Sequence, residues 1–333
     1  MSEQQLSSAE AELYDRQIRL WGIESQEKLR AANVLLIGIR GLGSEIAKNI
    51  LLSGINSLTI LDDGVVTESD ILHNFLLHEK VPVGSKIAEE VLPRAQSLNP
   101  LVKIATDTEP VSAKSADYFK EFTIVVATKI KFEHILKIDN VCREHSVKFI
   151  YGDVFGFFGF SVSDLQEHDY FEDRVQLIAG QKRGHDGEKK TVKIKGNMSY
   201  PPLNKVLILP NTKQDIIGIK KLSRPNNLFI CMLTLLEFKK QTDREPDPSQ
   251  KSDDVEKLKT IASDMIDLYQ FSNVKLDNLY ELLFGELAPV CAILGGVIAQ
   301  EVIKAVSHKE VTINNIFLFD PVTYSGKELS VGA

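Results

Sequence analysis

Two hydrophobic periods alternate along the first half of the chain. Residues 34–37 (Val-Leu-Leu-Ile) are apolar without alternation, the pattern of a strand covered on both faces as in a parallel sheet. A glycine turn follows, and Ile46, Ile50 and Leu51 then recur at helical spacing until about Gly54. A second strand at 57–61 ends on Asp62-Asp63. Helices at 86–97 and 132–145 alternate with strands near 102–104, at 122–127 and at 147–151. This order predicts right-handed βαβ units in a doubly wound α/β sheet. Ahead of it, residues 9–29 predict one helix, with Tyr14, Ile18 and Trp21 on one face and Arg16 and Arg19 on the other.

The pattern changes after Gly152. Residues 155–160 and 191–195 read as β, joined by a Gly/Lys turn at 180–190. Helices follow at 226–242 and 255–268, around a charged, proline-bearing loop at 243–254. A long apolar helix at 287–307 carries Pro289 near its start, where proline is tolerated. A strand at 315–320 closes the chain. Three segments are therefore expected: 1–165 as the first part of a sheet domain, 166–285 as strands plus a helix-rich insertion, and 286–333 as the return to the sheet.

With 333 residues, 43% of them hydrophobic and 26% charged, the chain can bury a sizeable core. Its 39 basic and 46 acidic residues give a net charge of −7, which implies no phosphate-binding surface and speaks against nucleic acid as a partner. The three cysteines, Cys142, Cys231 and Cys291, are odd in number and widely spaced. They imply a reducing compartment and read as core residues, with no His or Lys beside them in sequence to lower a thiol pKa. The polar N-terminus reads as no secretory signal. The longest apolar stretches, 228–238 and 287–298, fall short of the ~18–20 residues of a membrane span. The expectation is a cytosolic or nuclear protein that does not meet a membrane. No zinc-type spacing of His or Cys occurs, so no metal site is expected.

Gly38, Gly41 and Gly43 form G-x-x-G-x-G, with Arg40 where a phosphate would need the backbone to come close. Asp62 stands 24 positions after Gly38, near the ~20 expected of a ribose-binding acid. From these residues, the turn fits either an adenine-nucleotide site or a strand–turn–helix without ligand. Asp62 fits either a ribose contact or a turn aspartate. Arg16 fits a surface i,i+4 pair with Glu12, worth ~0.3–0.5 kcal/mol, or a phosphate-binding arginine aimed at another subunit. The Gly295-Gly296 pair costs ~1 kcal/mol per residue within a helix and predicts close packing of another helix there.

Four ordered segments then resemble the ubiquitin-like-protein activating enzymes. They are Tyr14-Asp-Arg-Gln-Ile-Arg-Leu-Trp-Gly22 with the 34–48 unit, Lys148-Phe-Ile-Tyr-Gly-Asp-Val-Phe-Gly156, the run from Ala288 to Lys304, and Asn315-Ile-Phe-Leu-Phe-Asp320. The resemblance is to the regulatory half of the SUMO-activating kind. It implies a Rossmann-like adenylation domain of the ThiF/MoeB type, degenerate in this chain, whose helix-rich insertion corresponds to a catalytic-cysteine half-domain without the cysteine. Active members carry Gly-x-Gly-Gly-x-Gly, where this chain has Arg40. They carry an Asn-x-Asn-Arg-Gln-Phe segment, where it has Asp70-Ile-Leu-His-Asn-Phe75. They also carry a magnesium aspartate after the fourth strand, where it has Thr128-Lys129.

The resemblance thus implies a site degraded at Gly38, Arg40, Gly41 and Gly43, with Asp62 and Lys86 as relics and no tight ATP binding by this chain alone. ATP and magnesium would sit in the catalytic SUMO-activating partner of a heterodimer. Arg16 would reach the partner's ATP phosphates in trans. SUMO would be the modifier, a conjugating enzyme an indirect partner, and the nucleus, with the cytoplasm, the location. Other implied readings are the regulatory half of a different modifier's activating enzyme and a self-sufficient ThiF/MoeB-like homodimer. A nicotinamide dehydrogenase would need G-x-G-x-x-G, and an interaction module would need no chemistry at all.

Overall fold

The computed structural model describes residues 8–177, 189–208, 226–269, 271 and 274–332. Its N-terminal segment is three helices rather than one: α1 (Ser8–Leu13), α2 (Asp15–Trp21) and α3 (Ile23–Arg30). Gly22, at φ +88°, turns the chain between α2 and α3, a conformation that glycine adopts without Cβ strain. Tyr14 leaves helical geometry at the first break because its ring is drawn into the core, where it is 4% exposed and its hydroxyl accepts Asn99 Nδ2 at 2.9 Å.

The sheet domain then follows the predicted alternation. Its elements are β1 (Asn33–Ile37), α4 (Gly41–Leu52), β2 (Ser57–Leu61), α5 (Glu68–His73), α6 (Ile87–Leu98), β3 (Lys103–Asp107), α7 (Ala116–Phe119), β4 (Ile124–Thr128), α8 (Phe132–Glu144) and β5 (Lys148–Phe155). Strands β3, β2, β1, β4 and β5 lie side by side and parallel. The β structure expected at 155–160 is a hairpin, with β5 turning at Gly156 into antiparallel β6 (Phe158–Asp164). A Cβ on Gly156 would lie 2.1 Å from the Leu282 carbonyl, so only glycine lets the two backbones approach this closely. Beyond β6, antiparallel β9 (Ile316–Asp320) and β10 (Ser325–Leu329) complete an eight-stranded sheet.

Between β6 and β9 the described chain forms a two-stranded sheet of β7 (Glu167–Leu177) and β8 (Lys189–Ser199), then α9 (Leu203–Leu207), α10 (Asn227–Thr242), α11 (Lys251–Tyr269) and α12 (Ala288–Ser307). The turn expected at 180–190 lies, apart from residues 189 and 190, outside the described residues. Side chains of β1 divide the core. Leu35 and Ile37 face a layer built with α8, α10 and α11, while Val34 and Leu36 face α4, α6 and α12. Helix α10 is apolar on nearly every side because it is sandwiched, with Leu228, Phe229, Ile230, Met232, Leu233, Leu235, Leu236 and Phe238 all buried. The inserted helices thus share one core with the sheet.

Helix α12 has 20 residues at a mean hydropathy of 1.6, long and apolar enough to cross a membrane. Its packing against α4 and the sheet accounts for that apolarity, with 61% of the apolar window buried. A Cβ on Gly295 would lie 2.6 Å from Glu45 Cβ, which is the close helix approach its sequence predicts. Gly296 differs, since nothing lies within 4 Å of its Cβ position.

Candidate functional site

The strand order 3-2-1-4-5 reverses between β1 and β4, and in open α/β sheets ligands bind at the carboxyl ends of strands at such a switch point. The glycine turn lies there. Gly38 sits at φ +85°, and a Cβ on it would stand 2.5 Å from both the Thr128 carbonyl and Oγ1. A Cβ on Gly43 would meet the Gly38 carbonyl at 2.1 Å. Both glycines are therefore required by close backbone packing, with or without a ligand.

The polar groups around the turn bond to one another. Asp62 accepts Ile39 N at 2.9 Å through one carboxylate oxygen and Gly64 N at 2.8 Å through the other. Asn74 Nδ2 donates to the Ile39 carbonyl at 2.7 Å, and Thr128 Oγ1 donates to the Gly38 carbonyl at 3.1 Å. Arg40 caps the start of α4 in extended conformation and sends its guanidinium to Asp70. Asp70 is itself bound into a capping box with Thr67 at the start of α5. Burial opposes the charge on both Arg40 and Asp70, but the hydrogen bond between them prevails, raising the arginine and lowering the carboxyl from their ordinary pKa values.

Where the resemblance expects a magnesium carboxylate there is an ammonium. Lys129, at φ +53°, lies 3.1 Å from Glu245 and 3.5 Å from Glu286. Burial opposes its charge, yet these carboxylates raise its pKa. Arg40 and Lys129 both line two spaces, of about 180 Å³ and 260 Å³. The residues present do not fit a magnesium nucleotide.

The structure brings Gly38, Arg40, Gly41, Gly43 and Asp62 together. Lys86 stands at their rim: it holds the N-cap position of α6, and its Nζ donates at 2.6 Å to the carbonyl of Asp63, which lines the same space as Gly38, Arg40 and Asp62. Arg16 lies elsewhere. It is exposed on α2, and among the described residues it makes no hydrogen bond or ion pair, the expected one with Glu12 included. Its neighbour Arg19 pairs instead with Asp15, at 2.9 Å. Helix α2 itself is anchored at the far end of α4. Gln17 Nε2 donates to the Leu52 carbonyl at 3.4 Å, and Gln26, held by Trp21 Nε1 at 3.0 Å, donates to the Ser53 carbonyl at 2.9 Å. The 12 residues of α4 span about 18 Å, so Arg16 and the glycine turn stand at opposite ends of one helix.

Sequence reasoning passed over Glu286. Its side chain is 3% exposed, and Oε1 accepts Leu42 N at 2.9 Å in the first turn of α4. Its only sequence signal is a lone acid shortly before Pro289. The cysteines lie where the apolar spacing puts them, all three buried, with burial raising each thiol well above its ordinary pKa.

Comparison with known proteins adds to this geometry. The ThiF family matches residues 14–333. The chain is 36% identical to SUMO-activating enzyme subunit 1 of Xenopus tropicalis, over 96% of this chain and 95% of that protein. It is 36% identical to the Homo sapiens protein of the same name, with 96% and 95% covered. With the Mus musculus protein the identity is 38%, over 94% and 91%.

Proposed function

This chain belongs to the ThiF family, and from that premise we propose that it is the regulatory subunit of a SUMO-activating heterodimer. In this reading it supports a catalytic partner that adenylates SUMO with ATP and magnesium and charges it as a thioester, the first step of sumoylation. The chain is inactive alone, meets the conjugating enzyme only indirectly, and works in the nucleus and also the cytoplasm. The relatives' shared name supports the modifier and the subunit role. A self-sufficient adenylating homodimer would want a carboxylate after β4, where Thr128-Lys129 stand.

The observation that carries the reading is Arg16. It is an exposed arginine without a partner among the described residues, on a helix tied to the end of α4 through Gln17 and through Trp21 and Gln26. It is separated from its own chain's glycine turn by about the length of α4, ~18 Å, which no arginine side chain spans. Such a group is free to complete the phosphate site of another chain, where a fixed cation stabilises charge that develops during adenylyl transfer. The test is SUMO-dependent ATP–pyrophosphate exchange by the heterodimer carrying Arg16→Ala. Exchange should fall while the two subunits still co-elute. Unchanged exchange would sink the proposal.

A further inference from the structure

The first turn of an α-helix presents unpaired N–H groups and the positive end of the helix dipole, and anions are stabilised there. In α4 that position already holds an anion belonging to the chain. Glu286 Oε1 accepts Leu42 N at 2.9 Å, and its carboxylate carbon lies 3.1 Å from where a Gly41 Cβ would be. Gly41 is thus the residue that lets the carboxylate reach the helix end. Lys129 Nζ at 3.5 Å and His73 Nε2 at 3.3 Å approach the other oxygen, which is buried without a hydrogen bond among the described residues. The arrangement has the parts of an occupied phosphate site: a backbone amide at a helix start, a carboxylate against it and a cation beyond.

Glu286 is delivered by a fixed support. It lies on the segment that leads from the inserted helices into α12, and this segment is tied to the β5–β6 turn. Gly156 N donates to the Gly285 carbonyl at 2.7 Å and Phe157 N to the Leu282 carbonyl at 2.9 Å. The carboxylate is therefore held at the helix start by backbone pairing as well as by charge.

We propose that the anion cradle of α4 is intact, and that Glu286 occupies it as an internal substitute for a phosphate, with Lys129 as its counter-cation. The cradle has been filled from within rather than dismantled. Removing the carboxylate exposes a site for a small tetrahedral oxyanion at the Leu42 amide. This deepens the reading that the chain carries no nucleotide, but it is tested apart from the Arg16 proposal, which concerns the other end of α4.

The test uses the full-length chain labelled with 15N-leucine and titrated with inorganic phosphate, against chloride at matched ionic strength. An internal competitor lowers the apparent affinity by the fraction of time the cradle stands open. The Leu42 amide of Glu286→Ala should therefore shift saturably with phosphate, at an affinity roughly tenfold or more above the unmodified chain's. It should not respond to chloride. Should Glu286→Ala fail to fold, Glu286→Ser, whose shorter side chain no longer reaches the Leu42 amide, should show the same phosphate-dependent shift. Lys129→Met added to either variant should weaken that shift. A Leu42 signal that stays fixed in the folded variant, or that moves equally in the unmodified chain or with chloride, overturns the proposal. Any of these results leaves the exchange assay on Arg16 free to succeed or fail separately.

Discussion

At its N-terminus α4 meets Arg40, Asp62, Asn74 and Glu286, each already committed to another group of the same chain. At its C-terminus it receives Gln17 and Gln26, which hold α2 and α3 in place and leave Arg16 exposed. The N-terminal end has the position of a ligand site and the bonding of a core. The C-terminal end resembles ordinary surface, yet it presents a guanidinium without a partner among the described residues. Position in the fold therefore indicates where a ligand would sit, whereas unmet bonding capacity indicates which end can still bind one.

The largest expected effect tests the open end. Loss of a fixed donor or cation aimed at developing charge costs about 10²–10³ in rate. Arg16→Ala should lower SUMO-dependent ATP–pyrophosphate exchange by roughly that factor, with little change in the thermal stability of the isolated chain. A comparable fall in stability would mean that Arg16 is structural, and the contrast between the two ends would collapse.

The next effect tests the closed end through pH. Burial alone would raise the Glu286 carboxyl, but His73, Lys129 and the Leu42 amide outweigh it and hold the pKa at about 2 against an ordinary 4.5. The folded value is the depressed one. The stabilisation is therefore fully present above about pH 4.5 and lost as pH falls toward 2. At about 1.4 kcal/mol per unit this amounts to about 3 kcal/mol at neutral pH. Urea unfolding of the unmodified chain and of Glu286→Gln should differ by that order at pH 7, and the gap should close in acid. A gap that is independent of pH would show that the carboxylate's charge is not what holds the cradle.

These residues differ in how far the sequence announces them. Strand β1 is readable because a strand covered on both faces must be apolar at every position, and Val34, Leu35, Leu36 and Ile37 are. The glycine turn is readable because close backbone packing excludes every side chain at Gly38 and Gly43. Glu286 is not, because it meets Leu42 across 244 positions, and nothing local distinguishes it from a solvated acid. Lys86, which the resemblance marks as a site relic, stands at the rim of the turn with its ammonium on the Asp63 carbonyl. The single helix expected at 9–29 fails at Tyr14 and Gly22, where burying one ring and turning the chain outweigh helical propensity.

The helix that packs along α4 offers a smaller and sharper test. Gly295 of α12 touches the α4 backbone beside Glu45, whereas Gly296 faces open space. Gly295→Ala should destabilise the isolated chain by about 1–3 kcal/mol through overpacking, pushing α4 and both of its ends. Gly296→Ala should stabilise it by about 0.5–1 kcal/mol, because alanine loses less backbone entropy in a helix. Chemical denaturation of the two variants checks this. Equal signs would mean that α12 does not approach α4 through Gly295.

The smallest expected effect is also the control that gives Arg16 its meaning. Arg19 lies one turn further along α2 and is likewise exposed, but it is paired with Asp15 at 2.9 Å. Exposed pairs of this spacing contribute ~0.3–0.5 kcal/mol, so Arg19→Ala should barely change stability. If Arg16 acts by placing its guanidinium at a partner's phosphates, Arg19→Ala should leave exchange within about twofold of the unmodified heterodimer, since half a kcal/mol is worth no more than that. If α2 instead contributes only diffuse positive charge, the two arginines carry equal charge on the same helix and their substitutions should lower exchange alike. Raising the salt concentration separates the cases further. Diffuse attraction fades beyond the roughly 8–10 Å Debye length of physiological salt, whereas an arginine enclosed against a phosphate is screened far less. An Arg16 effect that survives added salt, beside an Arg19 effect that never rises above twofold, would place the function at one side chain rather than in the field of the helix.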